Sequence, residues 1–276
     1  MQVNDLTGVQ GGSGPVVAAV QARLGSSRLA RKALQPILGR PMLEWVLRRV
    51  AACPGIDQVV LTTSEDPADQ ELTDLAQELG FRASQGPVDD IAGRLNRVAA
   101  ATGAGVLVRV WGDCPCIDPA LIELGLATLA RQPADLIRIR TRTGGALVAG
   151  DPPGFPYGLN FQIYSQRLLA AVAASPDPFI REFPQDLALR PDSPFVSLLI
   201  DSPEDYGDVS LTVDYPQDLE LIRGIFAALG ADGAQFGYRD IAAWVRAQRG
   251  GQPDNRALPR NQEYFTKRAA RETGPG

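Results

Sequence analysis

The 276-residue chain is 45% hydrophobic and 21% charged, which predicts a folded globular protein, and it has no apolar run long enough to span a bilayer. Its formal net charge of −5 argues against a dedicated nucleic-acid-binding protein, because such proteins need a strongly basic surface. Its three cysteines fit a reducing, cytoplasmic compartment, and the absence of histidine excludes a Ser-His-Asp mechanism and a histidine-ligated zinc site within the chain.

Short apolar strands alternate with helices along the first half of the chain. The strands are expected at 16–22, 57–63, 81–84, 106–111 and 135–140, and the helices at 41–52, 67–80, 88–102 and 119–131. This alternation is typical of βαβ units, so the sequence predicts an α/β fold with a mostly parallel sheet and right-handed crossovers.

The pattern changes after residue 141, where a Gly- and Pro-rich stretch at 143–156 predicts a loop or hairpin. Strands are then expected at 159–164, 195–200 and 209–213, and helices at 166–174, 180–189, 218–229 and 239–249. The predicted organisation is a flexible Gly-rich leader at 1–14, a single domain at 15–250 with an insertion or lid at 141–210, and a polar, basic, extended tail at 251–276.

A basic loop between Arg23 and Lys32 follows the first predicted strand and also contains glycine and serine. Such a loop at the end of a buried parallel strand suits a polyphosphate. Backbone N–H groups and hydroxyls can surround the phosphate oxygens, and the cations can neutralise their charge. The alternative is a solvated basic loop that only connects a strand to a helix.

Two aspartates follow other strands of the same predicted sheet. Asp113 comes after the strand at 106–111, and Asp214 comes after the strand expected at 209–213. Ligands of open parallel sheets bind at the carboxyl ends of the strands, so we expect both carboxylates to face the basic loop. Paired carboxylates beside a phosphate-binding loop predict Mg²⁺, which prefers oxygen ligands and bridges to phosphates. Taken singly, either aspartate also suits a turn or a helix cap.

Four motifs occur in order between residues 16 and 225. They read QARLGSSRLARK with LGRPMLEWVLRRV, GPVDDI with Arg94, VRVWGDCP with IDP, and LTVD with Pro216 and Asp218. This series resembles the cytidylyltransferase family, in particular its spore-coat polysaccharide (SpsF-type) branch, and the family also contains the synthetases of CMP-activated Kdo and sialic acid. The resemblance implies a GT-A-like, Rossmann-like three-layer αβα nucleotidyltransferase fold with an inserted middle section, and residues 141–210 as the candidate surface for a homodimer.

The resemblance also implies a reaction and its site. A Mg²⁺-dependent cytidylyltransferase would join CMP from CTP to a sugar or sugar-like acceptor and release pyrophosphate, for polysaccharide or glycoconjugate biosynthesis. Arg28 and Lys32 would stabilise the charge of the reacting phosphates. The implied nucleotide-binding residues are Gln21, Ala22, Arg23, Gly25, Ser26, Arg28, Lys32, Gly86, Asp90 and Arg94. The implied metal ligands are Asp113 and Asp214, and the implied acceptor-binding residues are Asn160, Gln162, Arg181 and Glu182.

The acceptor side departs from the family pattern. Asn160 and Gln162 stand where members often have acids, and Phe183 stands where they have histidine. An amide keeps size and hydrogen bonding but loses charge and metal affinity. The acceptor is then unusual, or the second half of the reaction is altered, or these residues only shape the lid. Two other functions stay open, namely a GT-A-type glycosyltransferase that uses a nucleotide-sugar and a nucleotide-binding relative without catalysis.

Overall fold

The structure, a computed structural model, describes residues 14–26, 28–142, 152–230, 236–248, 255 and 258–273. Apart from Gly14, the leader predicted at 1–14 lies outside the described residues, as does most of the loop predicted at 143–156. No helix within the described ranges is both long enough and apolar enough to cross a membrane.

One seven-stranded sheet forms the centre of the part of the chain that the structure describes. The strands are β1 (Val16–Gln21), β2 (Pro36–Ile37), β3 (Arg40–Pro41), β4 (Gln58–Ser64), β5 (Arg82–Gly86), β6 (Val106–Trp111), β7 (Leu136–Ile139), β8 (Thr141–Arg142), β9 (Phe155–Pro156), β10 (Phe161–Ser165) and β11 (Ser197–Ile200). The large sheet has the order β11-β7-β10-β6-β1-β4-β5, whereas β2 pairs with β3 and β8 with β9. Strand β10 runs antiparallel to β6 and β7, and the other pairings of the large sheet are parallel. The predicted mostly parallel sheet is confirmed.

Helices cover both faces of this sheet. They are α1 (Met42–Ala51), α2 (Gln70–Glu78), α3 (Ile91–Thr102), α4 (Pro119–Arg131), α5 (Gln166–Ala174), α6 (Pro178–Glu182), α7 (Gln185–Leu189), α8 (Pro216–Leu229), α9 (Tyr238–Ala247) and α10 (Gln262–Thr273). Apolar residues of α3, α5, α6 and α7 belong to one core cluster, and those of α1, α2, α4, α8 and α9 belong to the other. The fold is therefore the three-layer αβα arrangement that was expected.

Strand β1 lies in the middle of the sheet and is buried on both faces. Val17 and Ala19 pack in one core cluster, whereas Ala18 and Val20 pack in the other, and all four are 0% exposed. Successive side chains of a strand point to opposite faces, so a strand covered by helices on both sides is apolar at every position. The continuous apolar run at the start of the chain is explained by this position.

The prediction of a strand at 209–213 is wrong. The segment makes only an isolated bridge, between Tyr157 and Ser210. Its other backbone hydrogen bonds are made with loop residues. For example, the N–H of Val213 donates to the carbonyl of Asp113 at 2.9 Å. The segment thus lies beside the sheet edge without joining the sheet.

Three other predicted elements differ in extent or type. The helix predicted at 180–189 is two short helices, α6 and α7, separated around Pro184, which has no N–H to continue the first. The helix predicted at 88–102 begins later, because Asp90 accepts from the N–H of Gly93 at 2.8 Å and caps α3. The tail expected to be extended contains the helix α10.

The section predicted as an insertion, 141–210, contributes β10 and β11 to the central sheet and α5, α6 and α7 to one helical layer. Strand β10 lies between β6 and β7 and is antiparallel to both. The domain limits at 15–250 and the homodimer expected through this section stay predictions.

Replacing Asp135 by asparagine is expected to lower the free energy of unfolding by about 1–3 kcal/mol at pH 7. The Asp135 carboxylate accepts from the hydroxyl of Ser165 at 2.8 Å, from Nε of Arg167 at 3.0 Å and from the N–H of Val196 at 2.9 Å. Burial alone would raise the pKa of Asp135, but these donors outweigh it and hold the pKa below the usual value. The stabilisation is therefore present at neutral pH and is lost as the pH falls below about 4 through the folded-state pKa.

Urea unfolding at pH 7 and at acid pH checks this expectation, and the difference from wild type should shrink at the lower pH. The control is Asp201→Asn, because Asp201 is 53% exposed and its ion pair with Arg140 lies at the surface. Exposed pairs contribute about 0–1 kcal/mol. Equal losses of stability in the two variants would contradict the role given to Asp135.

Candidate active site

A cavity of about 550 Å³ lies at the edge of the central sheet where β1 and β6 end. This volume is in the range of small-molecule and cofactor sites. The predicted site residues that line it are Gln21, Ala22, Arg23, Gly25, Ser26, Arg28, Lys32, Arg94, Asp113, Asn160, Gln162, Glu182 and Asp214. Within the described part of the chain, Gly86, Asp90 and Arg181 do not belong to this lining.

The three residues outside the lining contact or support neighbours of the cavity. Gly86 lies at the end of β5, where an added Cβ would come within 2.7 Å of Cγ of Arg94. Asp90 caps α3 and forms an ion pair with Arg181. The structure thus gives them contacts that shape the surroundings of Arg94, and their binding roles stay predictions.

The basic loop after β1 is held in place from the neighbouring strand. The N–H of Ala22 donates to the carbonyl of Thr62 at 3.1 Å, and the N–H of Leu24 donates to Oδ1 of Asp69 at 2.7 Å. Asp69 is buried and also accepts from the hydroxyl of Thr63 at 3.0 Å. The sequence does not reveal this support, because an acid just before a helix is commonplace.

Lys32 joins the two aspartates that the sequence singles out. Its Nζ is 2.7 Å from Oδ2 of Asp113 and 2.9 Å from Oδ1 of Asp214. Burial alone would lower the pKa of Lys32, but the two carboxylates outweigh it and hold the pKa above its usual value. The structure brings the basic loop and both carboxylates together, as expected.

Backbone contacts explain why Asp113 and Asp214 meet without a strand before Asp214. The N–H of Val213 donates to the carbonyl of Asp113, which aligns the two segments. On the other side, Gly158 has φ +95°, and an added Cβ would lie 2.3 Å from the backbone nitrogen of Thr212. Only glycine permits this close approach in this conformation.

Arg28 is a second cation, beside Lys32, that pairs with Asp214. Its Nη2 is 2.8 Å from Oδ1 of Asp214, and its guanidinium lies 5.3 Å from the centre of the Tyr215 ring. Burial alone would raise the pKa of Asp214, but Lys32 and Arg28 outweigh it and hold the pKa below the usual value. Asp214 therefore stays ionised at neutral pH.

Asp113 and Asp214 are the residues that could hold a metal. The described residues contain no group of three or more His, Cys, Asp or Glu side chains suited to a metal. Burial raises the pKa of the nearby thiols, that of Cys116 to about 12 and that of Cys114 well above its usual value, so they stay protonated. Two carboxylates fit Mg²⁺, which commonly takes its remaining ligands from substrate phosphates and water.

Arg94, Arg109 and Arg138, here called the arginine trio, lie on α3, β6 and β7 and line the same cavity. Nε and Nη1 of Arg94, and Nε of Arg138, are buried and have no hydrogen-bond partner among the described residues. Burial, with repulsion from Arg109 and Arg23, lowers the pKa of Arg94 to about 10, so the group remains charged at neutral pH. Buried guanidinium nitrogens without partners, on side chains that line a cavity, indicate a site for an anion.

Arg109 is the member of the trio with the most contacts, and its described hydrogen-bond partners are neutral. Its Nε is 3.1 Å from Oε1 of Gln21, and its Nη1 is 3.4 Å from Oε1 of both Gln162 and Gln185. Its guanidinium lies 4.5 Å from the centre of the Trp111 ring. These amides orient the guanidinium and leave its charge uncompensated.

Sequence-based prediction did not assign Arg109, Arg138, Gln185 or Asp69 to the site. A signal existed for the two arginines, because they interrupt the apolar strands VLVRVW and DLIRIR. Charged residues are rarely buried without a partner, so an arginine inside such a strand is a functional candidate. Gln185 had no comparable signal.

The chain is similar to known proteins over much of its length. A family model described as Cytidylyltransferase matches residues 17–201. The 3-deoxy-manno-octulosonate cytidylyltransferase of Geobacter sulfurreducens is 36% identical over 121 residues, which are 43% of this chain and 47% of that protein, so this chain spans about half the length of that relative. The spore coat polysaccharide biosynthesis protein SpsF of Bacillus subtilis is 25% identical over 224 residues, covering 78% of this chain and 88% of SpsF. A cytidylyltransferase structure from Leptospira borgpetersenii shares the fold, with a TM-score of 0.77, 22% identity and coverage of 90% of this chain and 100% of that one.

Proposed function

This chain belongs to the cytidylyltransferase family, and from that premise we propose that it transfers CMP from CTP to a sugar-type acceptor and releases pyrophosphate, with Mg²⁺ as cofactor. The observation that carries the proposal is the position of Lys32 between Asp113 and Asp214, with Arg28 beside them. Two cations from a loop that suits phosphates face two carboxylates that suit a divalent cation.

In the proposed reaction, an acceptor hydroxyl oxygen forms a bond to the α-phosphorus of CTP and loses its proton to water. The bond from that phosphorus to pyrophosphate breaks, and its electron pair leaves with the pyrophosphate. Negative charge grows on the phosphoryl oxygens and on the departing pyrophosphate, and Lys32 and Arg28 stabilise it. Asp113 and Asp214 would hold Mg²⁺, which when bound neutralises phosphate charge. Because positioning and electrostatic stabilisation supply most of the rate, a histidine is not required.

The acceptor in this proposal carries a carboxylate or a phosphate. The arginine trio supports this, because all three arginines line the cavity and three buried nitrogens, Nε and Nη1 of Arg94 and Nε of Arg138, lack partners among the described residues. A guanidinium binds a carboxylate or phosphate strongly and in a defined geometry. The relative from Geobacter sulfurreducens is named for an octulosonate, which is a sugar acid.

The amide at position 162 supports the same proposal. The oxygen Oε1 of Gln162 accepts from Arg109 and from the hydroxyl of Tyr164. An acid at this position, as in the family pattern, would neutralise Arg109, whereas the amide leaves that charge for an acceptor anion. Asn160 instead shapes the turn, because its Oδ1 accepts from the N–H of Gly158 at 3.2 Å.

Replacing Arg138 by methionine is expected to raise the KM for an acidic acceptor by about 10–100-fold, because a hydrogen bond to a charged group contributes about 1.5–3 kcal/mol. The KM for CTP should stay at the wild-type value. The matched control is Arg140→Met, because Arg140 lies two residues further along and its guanidinium pairs with Asp201. Steady-state kinetics with both substrates varied check this, and an unchanged acceptor KM in Arg138→Met would contradict the anionic acceptor.

A screen for pyrophosphate release tests the proposed function. CTP, UTP, GTP and ATP are each combined with neutral sugars, sugar acids and sugar phosphates, and release is expected with CTP and an acidic acceptor. Group transfer from a nucleotide-sugar without pyrophosphate would indicate a glycosyltransferase instead. Binding of CTP without product from any acceptor would indicate a nucleotide-binding relative.

A further inference from the structure

The C-terminal strap, defined as residues 258–273, lies beyond the part of the chain that the family model matches and closes one side of the cavity. Arg260 fixes its first part. The Arg260 side chain is 5% exposed, and its Nη1 and Nη2 lie 2.7 and 2.6 Å from the two carboxylate oxygens of Asp218. Its Nη1 is also 3.6 Å from Oδ2 of Asp214. A buried bidentate pair of this kind defines both position and orientation.

Helix α10 of the strap contacts α6 and α7 at the other end. The ring centres of Tyr264 and Phe183 are 5.1 Å apart. Nζ of Lys267 is 2.7 Å from Oε1 of Glu182. The strap therefore connects the carboxylates of the proposed metal site with the part of the cavity formed by α6 and α7.

Hydrogen bonds connect Tyr264 to the arginine trio. The hydroxyl of Tyr264 donates to Oδ1 of Asp186 at 3.0 Å, and Nε2 of Gln185 donates to Oδ2 of Asp186 at 3.0 Å. The other amide atom of Gln185, Oε1, accepts from Arg109 at 3.4 Å. Tyr264 and Gln185 both line the cavity, so the strap reaches the place where an acceptor anion would bind.

We propose that the C-terminal strap is part of the active site and that Tyr264 is a specificity-determining residue for the acceptor. The inference rests on the proposed function, because its ligand is the acidic acceptor of that reaction. Tyr264 lines the cavity, and a tyrosine combines an apolar ring with a polar end, a combination that suits a sugar ring. Helix α10 has 12 residues and would be marginal alone, so its place over the cavity depends on Arg260 and on its contacts with α6 and α7.

Three variants test the inference. Tyr264→Ala is expected to raise the acceptor KM by about 3–10-fold, the value of an aromatic contact, and to leave the KM for CTP unchanged. Tyr264→Phe keeps the ring but loses the hydrogen bond to Asp186. Its acceptor KM should therefore lie between those of the wild type and Tyr264→Ala. The control is Leu124→Ala on α4, because Leu124 is 37% exposed and belongs neither to the strap nor to the described lining of the cavity. It should keep both wild-type KM values.

The same variants are compared by thermal shift with CTP and with each sugar acid of the screen, so that the result does not depend on turnover. Tyr264→Ala should lose part of the acceptor-induced rise in Tm and keep the rise induced by CTP. If the wild-type chain turns over and the acceptor KM is equal in Tyr264→Ala and Leu124→Ala, the inference is overturned and the proposed function is not. A wild-type chain that releases no pyrophosphate would contradict the proposed function. In that case, equal acceptor-induced rises in Tm for Tyr264→Ala and the control variant would overturn the inference as well.

Discussion

Replacing Lys32 by methionine is expected to lower kcat for pyrophosphate release by about 10²–10³-fold, or about 2.7–4 kcal/mol of barrier, by analogy with the loss of one oxyanion-hole donor. Lys32 is 15% exposed and supplies the charge between Asp113 and Asp214. Methionine keeps the apolar stem but removes the ammonium. The phosphoryl oxygens would then lose a cation whose interaction strengthens as they gain charge in the transition state.

The matched control is Arg31→Met at the neighbouring position. Arg31 is also a cation of the basic loop, but its side chain is 54% exposed and pairs with Glu71 outside the cavity lining that the structure describes. Its loss should leave kcat unchanged, because an exposed pair contributes about 0–1 kcal/mol and touches no substrate. Lys32→Arg should retain part of the rate, since it keeps the charge but changes its geometry. Equal losses in Lys32→Met and Arg31→Met would contradict the role of Lys32.

The pH dependence of this lysine follows from its pairing. Although burial alone would lower it, the carboxylates of Asp113 and Asp214 hold the pKa of Lys32 above its usual value. Its contribution to stability is therefore present below the unfolded-state pKa and is lost as the pH rises through the folded-state pKa. Lys32 thus stays charged through about pH 6–9. We expect no alkaline decline of wild-type kcat from this residue in that range.

Much of the fold could be predicted because its signals are local. The apolar run of β1 and the alternation of strands with helices are properties of short segments, and they determine the layers. The place of β10 could not be predicted. A strand such as Phe161–Ser165 has the same pattern in a parallel or antiparallel pair, and its insertion between β6 and β7 depends on contacts that are distant in sequence.

Some residues of the candidate site could likewise be predicted from local sequence, and others could not. Lys32 and Asp113 were expected together because each follows a strand of one sheet. Asp214 reaches them although no strand precedes it, because the backbone bond from Val213 to Asp113 replaces strand pairing. Tyr264 was not expected, since α10 lies in a polar, basic segment and its position depends on tertiary contacts with α6 and α7.

Replacing Asp113 by asparagine is expected to lower metal-dependent pyrophosphate release by more than about 10³-fold, because a catalytic metal contributes several kcal/mol of charge stabilisation. Asparagine keeps the shape of the side chain but removes the charge that would hold the metal. Asp113 is the better test of the two aspartates, because Asp214 also pairs with Arg28 and Arg260. Asp214→Asn should therefore lower both the rate and the Tm.

Two titrations separate a metal ligand from a residue that only orients Lys32. Mg²⁺ is titrated against pyrophosphate release, and Mn²⁺ binding is measured by electron paramagnetic resonance without turnover. Asp113→Asn should weaken Mn²⁺ binding by about tenfold or more. The control Asp89→Asn changes an exposed carboxylate of the same cavity and should keep the wild-type affinity. Wild-type turnover and Mn²⁺ affinity in Asp113→Asn would contradict the metal site, whereas low turnover with wild-type Mn²⁺ affinity would assign Asp113 to the positioning of Lys32.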